Sequence, residues 1–280
     1  MTATTRFLEL DEGKLAYDVT GEGPLLVLAP GLGDVRAAYR FLAPTLVAAG
    51  YRVATVDLRG HGESSTGWPS HSRTDVAGDL LALVRHLGGG PAVIVGASFS
   101  GGAATIAAAR HPADVRAVVE IAPGTRKPAI GPRDLSPRLL RALALIGGAA
   151  LLRSVPLWKR YQRLACPGPR PADFELVLTA LAAKLREPGR MAAVSAMALS
   201  SPADAQEALP DVAVPALVVM GTHDPDFPDP RAEAEAVAAA MPPGRAHVAM
   251  IEGSGHYPHA QHPEAVAAAV LSFLGEQARA

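Results

Sequence analysis

Position 98 holds a serine whose neighbours could make it a nucleophile. Residues 96–100 read Gly-Ala-Ser-Phe-Ser, between an apolar run at 91–95 and an alanine-rich stretch at 103–110. These patterns predict a buried strand followed by a helix, so Ser98 would project from the sharp turn that joins them. The turn needs small residues at positions 96 and 100, and the free N–H groups of the helix would favour negative charge at the serine. The same residues would also suit a turn that only packs closely or holds a phosphate.

Two later segments could supply the partners of this serine. Residues 216–226 form a strand pattern that leads to Asp224, and residues 246–258 form another that leads to His256. A histidine has a suitable pKa to accept the proton of the serine, and a carboxylate can hold the tautomer of the histidine. The chain order Ser98, Asp224, His256 is the order expected for this chemistry on an α/β sheet.

The acid position has two further candidates. Asp226 lies only two residues beyond Asp224 and competes with it, although it could instead cap the following turn. Glu120 lies inside a strand pattern, where a paired carboxylate is the simpler interpretation. The sequence favours Asp224 and leaves Asp226 open.

The elements that must position these residues follow a regular rhythm. Apolar strand runs alternate with helical patterns in the first 123 residues and again from 212 to the end, which predicts a mainly parallel sheet with helices on both sides. An alternating segment at 6–19 predicts a hairpin at the sheet edge, and residues 35–49 have helical spacing. Between 124 and 211 the rhythm breaks, and helical spacing recurs at 139–152, 173–185 and 191–199. We therefore expect an α/β core of residues 1–123 and 212–280 with an inserted helical lid at 124–211.

Composition limits the classes of function. Hydrophobic residues make up 49% and charged residues 19% of 280 residues, which is typical of a globular protein. The net charge of −1 gives no reason to expect nucleic acid or an anionic membrane as a partner. The single cysteine, Cys166, excludes an intrachain disulfide and a cysteine-cluster metal site, and the acidic residues form no metal-binding pattern. Residues 1–6 lack the apolar core of a signal peptide, and no stretch is suited to span a bilayer, so a cytoplasmic location is expected.

Four motifs together resemble those of the α/β-hydrolase-fold superfamily, in its serine esterase, lipase and peroxidase-like branch with a helical lid. Residues 96–100 match the nucleophile elbow, and residues 57–64 (Asp-Leu-Arg-Gly-His-Gly-Glu-Ser) match the D-x-R-G-x-G-x-S loop. Residues 221–224 match the turn that carries the acid, and residues 255–256 match the histidine turn. The resemblance covers nearly the whole chain and implies a catalytic triad without a cofactor or metal.

The chain departs from the family pattern at two positions. Pro30 precedes Gly31 where the family usually has histidine before glycine, and Ser100 replaces the last glycine of the elbow. Both replacements leave the backbone N–H groups of the site in place. The resemblance implies that the oxyanion would be held by the N–H groups of Leu32 and Phe99, a kind of contact typically worth about 2.7–4 kcal/mol at the transition state.

The substrate pocket is predicted from residues near these loops and from the lid. The candidates are Gly31, Asp34, Trp158, Tyr161 and Met197. Asp34 could instead cap the helix that follows it, and the lid residues could serve only the packing of amphipathic helices.

The sequence as a whole predicts a serine hydrolase that cleaves small, fairly apolar carboxylic esters or lactones through an acyl-enzyme on Ser98. The alternatives are a carbon–carbon bond hydrolase, a cofactor-free peroxidase-type relative, and a small-molecule receptor with a slow triad. The expected partner is a small-molecule substrate, with no nucleic acid and no insertion into a membrane. Both a monomer and a homodimer agree with the sequence.

Overall fold

The computed structural model describes residues 4–277, which form eight strands and eleven α-helices. One sheet contains all eight strands in the order β1-β2-β4-β3-β5-β6-β7-β8. The pairings of β1 with β2 and of β2 with β4 are antiparallel, and the other pairings are parallel. The predicted mainly parallel sheet with an edge hairpin is confirmed. The strands are β1 (Arg6–Leu10), β2 (Gly13–Thr20), β3 (Leu25–Ala29), β4 (Arg52–Val56), β5 (Ala92–Ala97), β6 (Val115–Ile121), β7 (Ala216–Gly221) and β8 (Ala246–Ile251).

Helices cover both faces of the sheet, and strand β3 shows why. Every residue of β3 is buried, and its side chains alternate between two hydrophobic clusters. Leu25 and Val27 belong to one cluster, whereas Leu26 and Leu28 belong to the other. Because successive side chains of a strand point to opposite faces, a continuous apolar run requires a packed layer on each side. The carboxyl ends of the parallel strands therefore open together at one edge, where the functional loops lie.

The helices are α1 (Leu42–Ala48), α2 (Arg73–Leu87), α3 (Phe99–Arg110), α4 (Pro137–Leu151), α5 (Val155–Ala165), α6 (Phe174–Leu185), α7 (Arg190–Leu199), α8 (Ala203–Ala208), α9 (Pro230–Ala239), α10 (Pro258–Gln261) and α11 (Pro263–Gln277). Among residues 4–277, no helix has the length and apolar character needed to cross a membrane. Of the six N-terminal residues considered for a signal peptide, 1–3 lie outside the described residues.

The helix predicted at 35–49 is in fact two elements. A short 3-10 helix spans Arg36–Tyr39, and α1 begins only at Leu42. Proline at position 44 has no N–H to donate to the carbonyl of Arg40, so one continuous α-helix through this segment would lose a hydrogen bond there. The predicted single helix was therefore wrong.

Helices α4 to α8 occupy the segment between β6 and β7. A third hydrophobic cluster holds α5, α6 and α7 together, with Trp158, Leu181 and Val194 among its members. The patterns at 139–152, 173–185 and 191–199 correspond to α4, α6 and α7. Helix α5 was not predicted. Its apolar residues are interrupted by basic and polar ones, but the side chain of Ser154 caps its first turn, where Pro156 is well tolerated. We retain the division into core and lid as a proposal.

Candidate active site

Ser98 occupies a strained turn between β5 and α3. Its backbone has φ = +50° and ψ = −114°, which is a costly conformation for a residue with a side chain. Three hydrogen bonds hold it: its N–H donates to the carbonyl of Ile121 at 2.8 Å, and its carbonyl accepts from Gly101 at 3.0 Å and Gly124 at 2.9 Å. A Cβ atom at Gly96 would come within 2.2 Å of the carbonyl oxygen of residue 100, so the turn requires glycine there.

Ser100, which replaces the usual glycine of the elbow, has a specific contact. Its side chain is fully buried, and its hydroxyl donates a 2.5 Å hydrogen bond to the carbonyl of Pro30. The bond joins the first turn of α3 to the loop after β3. The two positions at which the chain departs from the family pattern are therefore in direct contact.

His256 lies in the loop after β8, and its imidazole faces two carboxylates. Its Nδ1 atom is 2.8 Å from Oδ2 of Asp224 and 3.5 Å from Oδ2 of Asp226. Its backbone N–H donates to the carbonyl of Ala165 at 2.8 Å, which fixes the loop against the end of α5. Asp224 is completely buried and has the shorter contact, so it is the better placed of the two to orient the imidazole.

Asp226 is part of the same cluster. Its backbone N–H donates to Asp224 at 3.0 Å, and its Oδ2 atom accepts a 2.7 Å hydrogen bond from the hydroxyl of Tyr161. Burial raises the pKa of Asp226 to about 6, while the nearby imidazole opposes the rise and the charge of Asp224 adds to it. Asp226 is thus a second carboxylate beside the imidazole of His256, and its role is not simply to cap the turn that follows it.

The charge on His256 is set by these neighbours. Burial by itself lowers the pKa of the imidazole, but the charges of Asp224 and Asp226 and the hydrogen bond donated to Asp224 outweigh it and raise the pKa to about 9. Two carboxylates around one histidine therefore favour the imidazolium. A histidine must be neutral to accept the proton of a serine, so the pKa of His256 should limit activity at low pH.

The loop after β3 is fixed at Gly33 from two sides. The Gly33 N–H donates to Nε2 of His61 at 2.9 Å, and its carbonyl accepts from the indole Nε1 of Trp158 at 3.0 Å. Gly33 has φ = +69°, and a Cβ atom there would come within 2.4 Å of the indole. Among residues 4–277, no hydrogen bond engages the neighbouring N–H of Leu32 or the N–H of Phe99. An oxyanion hole requires two free donors of this kind.

His61, in the loop of residues 57–64, supports the loop after β3. Its Nδ1 donates to the carbonyl of Arg59 at 2.9 Å, which leaves Nε2 free to accept from Gly33. Burial lowers the pKa of His61 to about 4, so the ring is neutral near neutral pH. The D-x-R-G-x-G-x-S loop thereby supports the loop that carries Leu32.

One cavity is lined by Ser98, His256 and the loop after β3. Its empty volume, including its open mouth, is about 310 Å³. Three of its lining residues, Ile146, Asp226 and Tyr257, were not predicted to line a pocket; Ile146 faces inward from α4, and only the amphipathic spacing of that helix could have indicated it. The lining consists of Gly31, Leu32, Ser98, Ile146, Trp158, Tyr161, Asp226, His256 and Tyr257.

Ser98 and His256 share this cavity without a direct bond. Among the hydrogen bonds of residues 4–277, none joins the serine hydroxyl to the imidazole. Such contacts often tighten only when substrate is bound, so the shared cavity remains the relevant observation. A Cβ atom at Gly31 would lie 3.1 Å from Cβ of Ser98, which shows how closely the loop after β3 approaches the serine.

Three predicted candidates lie elsewhere. Met197, near the end of α7, packs in the main hydrophobic core together with Phe99 and does not line the cavity, whereas Val194 earlier on that helix belongs to the third cluster. Asp34 lines a separate cavity, and its carboxylate accepts from the N–H of Val35 at 2.8 Å without capping a helix. Glu120 accepts hydrogen bonds from Thr105 and Thr125. The expectation that Met197 and Asp34 line the Ser98 pocket was wrong. The alternative that Asp34 is a helix N-cap was also wrong.

Asp224, Asp226 and His256 also offer the one group of three ligand atoms in residues 4–277 that could hold a metal ion. The three atoms lie within 4.8 Å of one another. The hydrogen bonds among these residues and Tyr161 already use the same atoms, so the geometry suits a hydrogen-bonded charge cluster. That the protein uses no metal stays a prediction.

Comparisons with known proteins agree with this architecture. Residues 26–269 match the sequence model of the Alpha/beta hydrolase family. Polyketide synthase ThaQ from Burkholderia thailandensis is 33% identical over 288 residues, which cover 99% of this chain but only 13% of that protein. Pimeloyl-[acyl-carrier protein] methyl ester esterase from Xanthomonas oryzae pv. oryzae is 31% identical over 263 residues, covering 92% of this chain and 97% of that protein. The crystal structure of a bromoperoxidase from Bacillus anthracis has a TM-score of 0.80 at 21% identity, covering 97% and 100% of the two chains, and shows the shared fold alone.

Proposed function

Because this chain belongs to the alpha/beta hydrolase family and is a hydrolase, we propose that it cleaves small, fairly apolar carboxylic esters or lactones through an acyl-enzyme on Ser98. One observation carries the proposal. The strained Ser98, His256 with its buried carboxylate partner, and Leu32 with its free N–H all line one cavity or its edge, and the free N–H of Phe99 belongs to the residue directly after Ser98.

In the proposed reaction, the Ser98 hydroxyl oxygen attacks the ester carbonyl carbon while His256 accepts the hydroxyl proton. The carbonyl oxygen becomes an oxyanion held by the N–H groups of Leu32 and Phe99. The carbon–oxygen bond to the leaving alcohol then breaks, and His256 returns the proton to that alcohol. Asp224 holds the imidazole tautomer throughout.

The second half of the reaction releases the acid. A water molecule donates its proton to His256 as its oxygen attacks the acyl carbon. The bond to the Ser98 oxygen breaks, the proton returns to the serine, and the carboxylic acid leaves. Each step balances without a cofactor, a metal or a redox partner.

The lining of the cavity supports the substrate class. Leu32, Ile146 and Trp158 offer apolar surface, and Ser98, Asp226 and His256 are among the polar lining residues. The empty volume of about 310 Å³ includes the open mouth, so the enclosed part is smaller and suits a small substrate. The name of the Xanthomonas relative refers to a methyl ester, and its near-complete coverage of this chain supports ester chemistry here.

The test begins with p-nitrophenyl esters from acetate to octanoate, together with a fluorophosphonate that labels active serines. We expect turnover by the natural chain and a covalent adduct on Ser98, found by mass spectrometry of its peptides. Ser98→Ala should lose both. Ser195→Ala, a change at a buried serine on α7, is the matched control and should keep both. A chelator such as EDTA should leave the rate unchanged.

The alternatives give different results. A Ser98 adduct without ester turnover would contradict the ester proposal and favour a carbon–carbon bond hydrolase, a peroxidase-type relative or a receptor with a slow triad. A ligand that raises the Tm without being consumed would point to the receptor. A folded protein with neither adduct nor turnover would overturn the nucleophilic role of Ser98.

A further inference from the structure

Charge is distributed unevenly along this chain. Between residues 124 and 172 there are ten arginines and lysines and one acidic residue, Asp134, so this segment has a formal charge of +9 in a chain whose total is −1. The near-neutral total had suggested that no anionic partner was to be expected. The average conceals a strongly basic segment on an otherwise acidic protein, and electrostatic attraction depends on the local charge.

Exposed apolar side chains are concentrated in the same segment. Among residues 4–277, nine large hydrophobic side chains are exposed, and five of them lie between Leu135 and Leu152. Leu151 and Leu152, at the end of α4, are 70% and 73% exposed. Single exposed apolar residues are common on proteins, but a cluster of this kind indicates a surface that meets an apolar partner.

Arginines lie in sequence among these leucines without acidic partners. Arg133, Arg141 and Arg153 are exposed, and no salt bridge within residues 4–277 engages any of them. Elsewhere in the segment, Arg126 and Arg163 are paired with Glu233 and Glu175. The three free arginines and the nearby leucines form what we call the arginine–leucine face: Arg133, Leu140, Arg141, Leu151, Leu152 and Arg153.

Helix α4 connects this face to the active-site cavity. Its buried side includes Leu139, Ala142 and Ala149, and Ile146 lines the cavity of Ser98. The exposed positions Leu140 and Leu151 therefore belong to the other side of a helix whose inner side contributes to the cavity wall. A surface that bound this face would lie over the helix that borders the site.

We propose that the arginine–leucine face docks the protein on the surface of a membrane that contains anionic lipids. Leucines enter the boundary between head groups and acyl chains, and arginines beside them contact lipid phosphates at the same depth. Such a helix lies on the bilayer and does not span it. The proposal depends on surface charge and exposure only, and it stands independently of the proposed hydrolysis.

Other occupants fit the face less well. A symmetric dimer through this face would bring two segments of +9 together, which like-charge repulsion opposes. An acidic protein would match the arginines, but the three exposed leucines of the face favour the apolar boundary that a lipid bilayer supplies.

Vesicle flotation tests the proposal with two lipid compositions, phosphatidylcholine alone and an equal mixture with phosphatidylglycerol. We expect binding to the mixed vesicles, weak binding to phosphatidylcholine, and release in about 1 M NaCl, where charge is screened within about 3 Å. Arg141→Glu/Arg153→Glu should weaken binding by at least about 25-fold, since each arginine near the surface contributes about fivefold.

A pair of leucine variants separates insertion from simple charge attraction. Leu151→Ser/Leu152→Ser should weaken binding by at least about tenfold. Leu176→Ser/Leu199→Ser changes two leucines that are 73% and 61% exposed outside the face, and it should bind as the natural chain does. Equal thermal unfolding transitions would show that all variants fold.

Three results would overturn the proposal. They are absence of binding to the mixed vesicles, equal loss in the Leu176/Leu199 control, and full retention of binding by the Leu151/Leu152 variant. If the chain does not bind the vesicles but binds an acidic soluble protein, the face is assigned to a protein partner instead.

Discussion

The indole N–H of Trp158 donates a 3.0 Å hydrogen bond to the carbonyl of Gly33, across 125 residues of sequence. Trp158 belongs to α5, and Gly33 follows Leu32 in the loop after β3. Helix α5 is thereby coupled directly to the loop that carries a proposed oxyanion donor. A shift of α5 would therefore also move the N–H group of Leu32.

Trp158→Phe should reduce kcat by about tenfold with little change in KM, because the ring still fills the cavity wall while the Gly33 carbonyl loses its donor. Steady-state kinetics on the preferred p-nitrophenyl ester measure both constants. Trp68→Phe is the matched control, since Trp68 also donates its indole N–H to a backbone carbonyl, that of Ser65, but away from the cavity. Equal effects in the two variants would contradict a specific role for Trp158.

Asp226→Asn should shift the acidic limb of the pH profile of kcat/KM to lower pH. Both carboxylates raise the pKa of His256, so loss of one negative charge lowers that pKa and leaves more of the neutral base at pH 7. We expect kcat/KM at pH 7 to rise by roughly three- to tenfold. An unchanged profile would show that Asp226 does not influence the base.

Asp224→Asn should lower activity, whereas Asp226→Asn should raise it at pH 7. Asp224→Asn removes the acceptor of the 2.8 Å hydrogen bond that holds the imidazole, and kcat should fall on the order of 10⁴-fold. Measured beside Asp226→Asn, it separates the two carboxylates that the sequence could not distinguish. A larger loss of kcat in Asp226→Asn than in Asp224→Asn would reverse their assigned roles.

Ser100→Ala should lower the free energy of unfolding by about 1–3 kcal/mol, because the buried carbonyl of Pro30 loses its side-chain donor. Urea unfolding followed by circular dichroism measures the change. Ser195→Ala removes a hydroxyl that makes no side-chain hydrogen bond within residues 4–277, and it should have a smaller effect. If Ser100→Ala is as stable as the natural chain, the contact with Pro30 contributes little.

Glu120→Gln should change how stability depends on pH. Burial raises the pKa of Glu120 from 4.5 to about 7, against the hydrogen bonds from Thr105 and Thr125 that lower it. The unfolded chain therefore ionises first as the pH rises, and folded stability falls from about pH 4.5 through pH 7. The glutamine variant avoids this loss and should be more stable than the natural chain by roughly 3 kcal/mol at pH 8, with little difference near pH 4.5.

Urea titrations at several pH values provide the measurement for Glu120. Glu235→Gln, at an exposed position of α9, is the control and should follow the natural chain at every pH. Parallel curves for Glu120→Gln and the natural chain would show that the buried carboxyl does not titrate in this range.

Local sequence was sufficient where the physical requirement is local. The turn at Ser98 needs a small residue at position 96 because of a backbone approach within four residues, and the motif therefore identifies it. The alternation of strands and helices likewise predicted the parallel sheet, since burial on both faces requires continuous apolar runs. Helix α5 was not predicted, although its buried residues Val155, Trp158, Tyr161 and Ala165 recur at helical spacing; the structure shows them in one cluster with residues of α6 and α7.

The sequence alone determined the class of fold and the candidates Ser98 and His256. Both residues could be identified because the residues next to them in the chain form recognisable motifs. Only the tertiary structure decided that Asp224 and Asp226 both face one imidazole, that Met197 lies in the core, and that His61 and Trp158 hold Gly33 from two sides. These relationships join residues far apart in the chain. Their distances depend on how strands and helices pack, and no pattern within a single segment contains that information.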